Sequence, residues 1–109
     1  MIGIIGFGRF GKLAARYLAE DFEVAVYHRT DKSAEITRVG AHAASLETVC
    51  RQDIVIPCVP ISVLQEVLQN IAPLLRPDAL IVDVCSVKEY PVRLMTGILP
   101  RTVSILATH

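Results

Sequence analysis

A chain of 109 residues has room for one domain around one hydrophobic core, since domains run from about 50 to 250 residues. Its composition is 52% hydrophobic, 20% charged and 6% aromatic, which describes a folding chain with an aliphatic core and excludes disordered and fibrous classes. Eleven basic residues offset eleven acidic ones, so no overall field draws the chain to nucleic acid or an anionic membrane, and local geometry must hold any anion it binds.

The apolar start, Met1 to Ile5, is interrupted by glycine and then by Arg9 and Lys12, too short for a signal-peptide core or a membrane span. Within it, Ile2 to Ile5 reads as a buried strand. Lys12 to Glu20 reads as a helix with Leu13, Tyr17 and Leu18 inward. Glu23 to Tyr27 is a second strand, and Asp31 to Val39 a helix that Gly40 can end. A short third strand fits near Ala41 to Ala43, and Ser45 can cap a brief helical turn. Asp53 to Val59 is the fourth strand, with Pro57 near its C-terminal end because proline donates nothing to a ladder. Ser62 can cap a long helix whose Val63, Leu64, Val67, Leu68, Ile71 and Leu75 form an apolar stripe. Leu80 to Val84 is a fifth strand, about Val87 to Leu99 a helix, and Val103 to Leu106 a sixth strand.

Short β-type runs alternating with helical segments are the pattern of parallel βαβ units. The expected fold is α/β: a Rossmann-type, doubly wound, mainly parallel sheet of six strands in order 3-2-1-4-5-6, with helices on both faces and residues 1–109 forming the one domain. Three cysteines, Cys50, Cys58 and Cys85, cannot all pair within the chain. Their apolar surroundings predict buried thiols in a reducing compartment, hence the cytoplasm, or a plastid in a plant. There is no CxxC spacing and no evident metal site. His42 reads as a surface residue.

Between the first strand and the first helix stands Gly6-Phe7-Gly8-Arg9-Phe10-Gly11, a GxGxxG motif. Gly6 suits the tight turn, Gly8 lets the backbone approach a pyrophosphate, Gly11 allows close helix-to-strand packing, and the helix N-terminus offers free N–H groups to the anion. The bland alternative is a glycine-rich turn without a ligand. The motif's position between strand and helix favours a dinucleotide site, to which Val59, ending the fourth strand, and Pro60, following it, are also assigned.

An NAD site usually has an acid at the end of the second strand, about 20 residues beyond the motif, on the adenosine ribose hydroxyls. Here the strand runs Val26-Tyr27-His28-Arg29-Thr30. His28 replaces the acid, and Arg29 can hold a 2′-phosphate through paired charge-assisted hydrogen bonds, with Thr30, His28 and Lys32 as further donors. NADP is therefore the expected cofactor, with NAD still possible. A solvated loop charge is the alternative for Arg29.

Ser86 follows the fifth strand and His109 the sixth. In an open α/β sheet the ligand crevice lies outside the strand C-terminal ends, so the two could face a nicotinamide from neighbouring strands. Histidine suits removal of a proton from an alcohol as hydride leaves its carbon, and a serine hydroxyl can orient it. On spacing alone a helix cap for Ser86 and a terminal residue for His109 are the plainer readings.

Taken together, Ile2 to Gly11, the segment Tyr27-His28-Arg29-Thr30-Asp31, the run Val82 to Pro91 and the ending Thr108-His109 resemble the prephenate/arogenate dehydrogenase family, closest to its NADP-linked arogenate-type members. The resemblance implies that His109 is the base or hydrogen-bond partner of the substrate hydroxyl, that Ser86 supports it, and that Lys88 reaches an anionic substrate or fixes its loop. Cys85 is read as packing. It also implies oxidative decarboxylation of prephenate or arogenate in tyrosine biosynthesis. Two departures stand out: Pro57 in a strand beside the cofactor, and the absence of the family's segment beyond the histidine. With that segment would go the substrate-carboxylate contacts and the C-terminal domain through which the family forms homodimers, so the isolated chain is expected to be inactive. The alternatives are an NADP-dependent reductase of another small carbonyl or a deazaflavin, and a nicotinamide-binding module without turnover.

Overall fold

A computed structural model describes residues 1–84 and 89–107, and for Glu89, Tyr90 and Ala107 it describes the backbone alone. The strands are β1 (Ile2–Ile5), β2 (Val24–Tyr27), β3 (His42–Ala43), β4 (Ile54–Pro57), β5 (Leu80–Asp83) and β6 (Ser104–Ala107). The helices are α1 (Arg9–Leu18), α2 (Ser33–Arg38), α3 (Leu46–Cys50), α4 (Ile61–Ile71) and α5 (Glu89–Ile98), with a 3-10 turn at Ala72–Leu74. Every strand pairing is parallel, and the sheet order is β3-β2-β1-β4-β5-β6, as the βα alternation predicts.

Alternation along the strands divides the core between the two faces of the sheet. On one face Ile5, Val55 and Ile81 pack with Val49 of α3, Leu64 and Leu68 of α4 and Met95 of α5. On the other, Ile4, Val24, Val26 and Ile56 pack with Ala15 of α1 and Ile36 of α2. Ser45 caps α3, its hydroxyl accepting the Thr48 N–H at 3.2 Å. Pro57 is the last residue of β4, where the Cys58 N–H takes over and donates to the Ile5 carbonyl at 2.7 Å. His42 is exposed, Cys50 is buried and Cys58 half-buried.

Two expectations need correction. In α1, Leu13 (45% exposed) and Tyr17 (64%) face outward, and the buried residues are Gly11 and Ala15, with Leu18 half-buried. The helix starts at Arg9, immediately after the glycine loop, and lies so close to the sheet that only small side chains fit beneath it. Tyr17 stands about 200° around the helix from Ala15. Ser62 is not the cap of α4: the helix begins at Ile61 behind Pro60, whose carbonyl accepts the Val63 N–H at 3.0 Å. Proline suits a helix start because its missing N–H would find no helical partner there. Pro73 ends the regular helix for the converse reason, since it cannot donate back to Gln69, and the chain tightens into the 3-10 turn.

Candidate dinucleotide site

At the end of β1, Gly6 takes φ of +101°, a conformation that favours glycine, and a Cβ there would overlap the Cys58 carbonyl. Its N–H donates to the Tyr27 carbonyl at 2.7 Å, so the loop leaves the sheet clasped between β2 and β4. A Cβ at Gly11 would strike the Gly6 carbonyl, which is how α1 comes down onto the strand. Gly8 differs from both. Its backbone is extended (φ −76°, ψ −161°), and a Cβ there would meet nothing within 4 Å. The first helical hydrogen bond of α1 runs from Lys12 N–H to Gly8 O at 2.9 Å, leaving the earlier N–H groups ahead of the helical ladder. No acid stands in that first turn, so the positive end of the helix dipole is not offset by a carboxylate of its own.

Phe7 is 2% exposed, with its ring in the core. Its N–H donates to His28 Nδ1 at 2.9 Å, tying the loop to the end of β2. Accepting through Nδ1 leaves the ring proton of the neutral imidazole on Nε2. Burial, then the charges of Lys32 and Arg29, push the His28 pKa below its ordinary value, against the opposing pull of Glu35. Lys32 itself lies 3.6 Å from Glu35. Asp31 is engaged by Ser33, whose N–H (3.0 Å) and hydroxyl (2.5 Å) both donate to it and hold its carboxyl below the usual range. Arg29 is exposed, and no carboxylate among the described residues forms an ion pair with it.

These pieces enclose a cavity of about 390 Å³ over the C-terminal ends of β1, β2 and β4. Gly6, Phe7 and Gly8 line it from the loop, His28 and Arg29 from the segment after β2, and Val59 and Pro60 from the far side. A second groove of about 200 Å³ is lined by His28, Arg29, Thr30, Lys32 and Ser45. Arg9 and Phe10 are exposed on the first turn of α1, outside the lining of both, and Gly11 is buried beneath the loop. Cys85, Ser86, Lys88 and His109 lie outside the described residues.

Sequence reasoning missed two features. Val63, Glu66, Val67 and Asn70 of α4 form one wall of the larger cavity, and their three- and four-residue spacing was the available signal. Asp83, fully buried, ends β5 three residues before Ser86 and pairs in register with Ala107 of β6. An acid closing an otherwise apolar strand was its mark, because a buried charge is costly unless it is held.

A profile of the prephenate dehydrogenase nucleotide-binding domain matches residues 15–109. The chain belongs to the prephenate dehydrogenase family. It is 33% identical to arogenate dehydrogenase 1, chloroplastic, of Arabidopsis thaliana, covering 99% of this chain and 18% of that protein. The Synechocystis arogenate dehydrogenase structure superposes with a TM-score of 0.73 at 25% identity, over 89% of this chain and 38% of the other. The Aquifex aeolicus prephenate dehydrogenase structure, at 21% identity, shares the fold with a TM-score of 0.79 over 94% of this chain and 40% of its own. The 109 residues thus span less than half the length of these relatives, and the matching portion is a nucleotide-binding domain for a dehydrogenase's nicotinamide cofactor. Among the described residues no helix is long and apolar enough to cross a membrane.

Proposed function

We propose that the chain is the NADP-preferring cofactor domain of a dehydrogenase that oxidatively decarboxylates prephenate or arogenate. The observation that carries the cofactor choice is the end of β2, where a neutral imidazole stands in place of an acid and the guanidinium of Arg29, without an ion pair among the described residues, borders both cavities. The site fits the group: the open space above Gly8 admits a pyrophosphate to the N-terminus of α1, and Arg29, with Thr30 beside it, offers donors to a 2′-phosphate. When bound, the cofactor supplies the acceptor for hydride leaving the substrate's carbinol carbon.

The roles of this chain's own residues follow from the strand ends. Asp83 and Ala107 are neighbours across β5 and β6, and Ser86 and His109 follow these two strands in sequence. His109 is assigned to take the proton of the substrate hydroxyl, and Ser86 to orient it. Lys88 is assigned to an anionic group of the substrate. Contacts to the substrate ring, dimer formation and the remaining substrate contacts fall to groups outside residues 1–109, in keeping with the small share of each relative that the chain spans. The cytoplasm, or a plastid in a plant, is the compartment that goes with this reading.

Calorimetric titration with each cofactor tests the choice. Loss of a charge-assisted hydrogen-bonded pair is worth about tenfold or more, so NADP should bind at least that much more tightly than NAD, with Arg29→Ala removing the difference. Equal affinities in the wild type, or a preference for NAD, overturn the assignment.

A further inference from the structure

The bond from Phe7 N–H to His28 Nδ1 joins residues 21 apart in sequence and links the glycine loop to the end of β2. Phe7 is held twice, by its buried ring and by this bond, so the loop carrying Gly8 is fixed relative to β2. A carboxylate at this strand end could accept the same N–H, but it would place a negative charge beside the ribose. Imidazole accepts without that charge. Resting on the cofactor-domain reading above, we propose that His28 is a positioning and specificity residue: a neutral clamp that orders the glycine loop for either nicotinamide cofactor while leaving the 2′-position free of negative charge.

Only the unprotonated ring can do this, since a protonated imidazole has no acceptor left. The charged groups around it act in opposite directions. Arg29 and Lys32, on the segment after β2, disfavour protonation, and Glu35 of α2 favours it. Glu66 of α4 lines the same cavity from the opposite wall, while the glycine loop contributes Phe7 and Gly8, without charge. Acidification should therefore break the clamp and loosen the loop, weakening a cofactor that has no 2′-phosphate to benefit from the new cation.

NAD is the suitable probe, because its affinity is free of the titration of a 2′-phosphate. Measured by calorimetry from pH 8 down to pH 5.5, wild-type affinity should fall progressively toward a limit of about fivefold, the worth of one neutral hydrogen bond, reached once the ring is fully protonated. In His28→Asn the amide oxygen can accept the Phe7 N–H at every pH, so binding should match wild type at pH 8 and lose that slope. His28→Ala should bind about fivefold more weakly throughout. His28→Asp should keep NAD affinity and lose NADP affinity, reversing the preference. An unchanged pH slope in His28→Asn, or wild-type binding by a folded His28→Ala protein, overturns the clamp. Ring 15N spectra and exchange of the Phe7 amide provide a cofactor-free arm: Nδ1 unprotonated with a protected Phe7 N–H supports it, and a ring protonated on Nδ1 at pH 8 overturns it. Failure of the wild type to bind either cofactor at pH 8 would remove the dehydrogenase reading, and the spectroscopic arm would still decide the clamp.

Discussion

A side chain added at Gly8 tests the site without testing the fold. The backbone there is extended and open to any residue, and a Cβ would meet no atom within 4 Å. Gly8→Val should therefore fold with a melting temperature close to wild type and fail to bind cofactor, because the isopropyl group fills the space over the helix N-terminus. A folded Gly8→Val protein with unchanged affinity would mean that the open space is not the pyrophosphate site. The opposite behaviour is expected at Gly6, where positive φ and the nearby Cys58 carbonyl make any side chain a folding defect. His28 also contributes to stability in a pH-dependent way. Its folded pKa lies below the ordinary 6.5, so the unfolded chain binds more protons in that interval. The contribution is complete above about pH 6.5 and is lost as pH falls through the lowered folded value. Denaturant titrations from pH 8 to pH 5.5 should show this decline in the wild type and a smaller one in His28→Asn; identical slopes would place the pH dependence on other groups. Cys50, with burial pushing its thiol up to about 11, should resist maleimide at neutral pH until the protein unfolds.

At the scale of elements, how readily the sequence could be read depended on whether packing or connection geometry sets the helix face. The stripe Val63, Leu64, Val67, Leu68, Ile71 of α4 was legible because that helix packs through branched side chains at regular helical spacing, with Leu64, Leu68 and Ile71 buried. In α1 the same rule failed for Leu13 and Tyr17 and held for Leu18, which packs half-buried against the core. Gly11 brings that helix against the Gly6 carbonyl, and this approach assigns the inner face to glycine and alanine whatever the larger residues would prefer. The signal was present in the motif itself, since its last glycine exists for close packing. Ala15 and Tyr17 make the contrast measurable. Ala15→Leu should lower stability by about 1–3 kcal/mol through overpacking, and Tyr17→Ser should change it by less than about 0.5 kcal/mol. Comparable losses from both substitutions in denaturant titrations would contradict the observed face of α1.

At the scale of the whole molecule, the strand order was readable from the βα alternation and the handedness of parallel connections, and the order in turn placed the glycine loop and β2 end beside one another. The sequence could not show that His28 would spend its acceptor on Phe7, since that bond depends on where a loop 21 residues away comes to rest. Nor could it divide the chemistry between cofactor and substrate. The described cavity lies over β1, β2 and β4, whereas Ser86 and His109 follow β5 and β6 and lie outside the described residues. Holding substrate in reactive geometry can supply about 7–11 kcal/mol of a barrier, and the groups proposed to do so lie beyond these 109 residues. Cofactor binding and turnover should therefore separate. NADP at one hundred times its dissociation constant should stabilise the chain by about 2.7 kcal/mol, a rise of roughly 10 °C or more in melting temperature for a domain of this size. The same chain should give no measurable NADPH from prephenate or arogenate. Joined to the remaining portion of an arogenate dehydrogenase relative, it should gain turnover, which His109→Asn should then lower severely and Ser86→Ala less so, with NADP affinity largely kept in both. Robust oxidation by the 109-residue chain alone would place the substrate site within this domain, and wild-type turnover by the joined His109→Asn protein would remove the histidine from the chemistry.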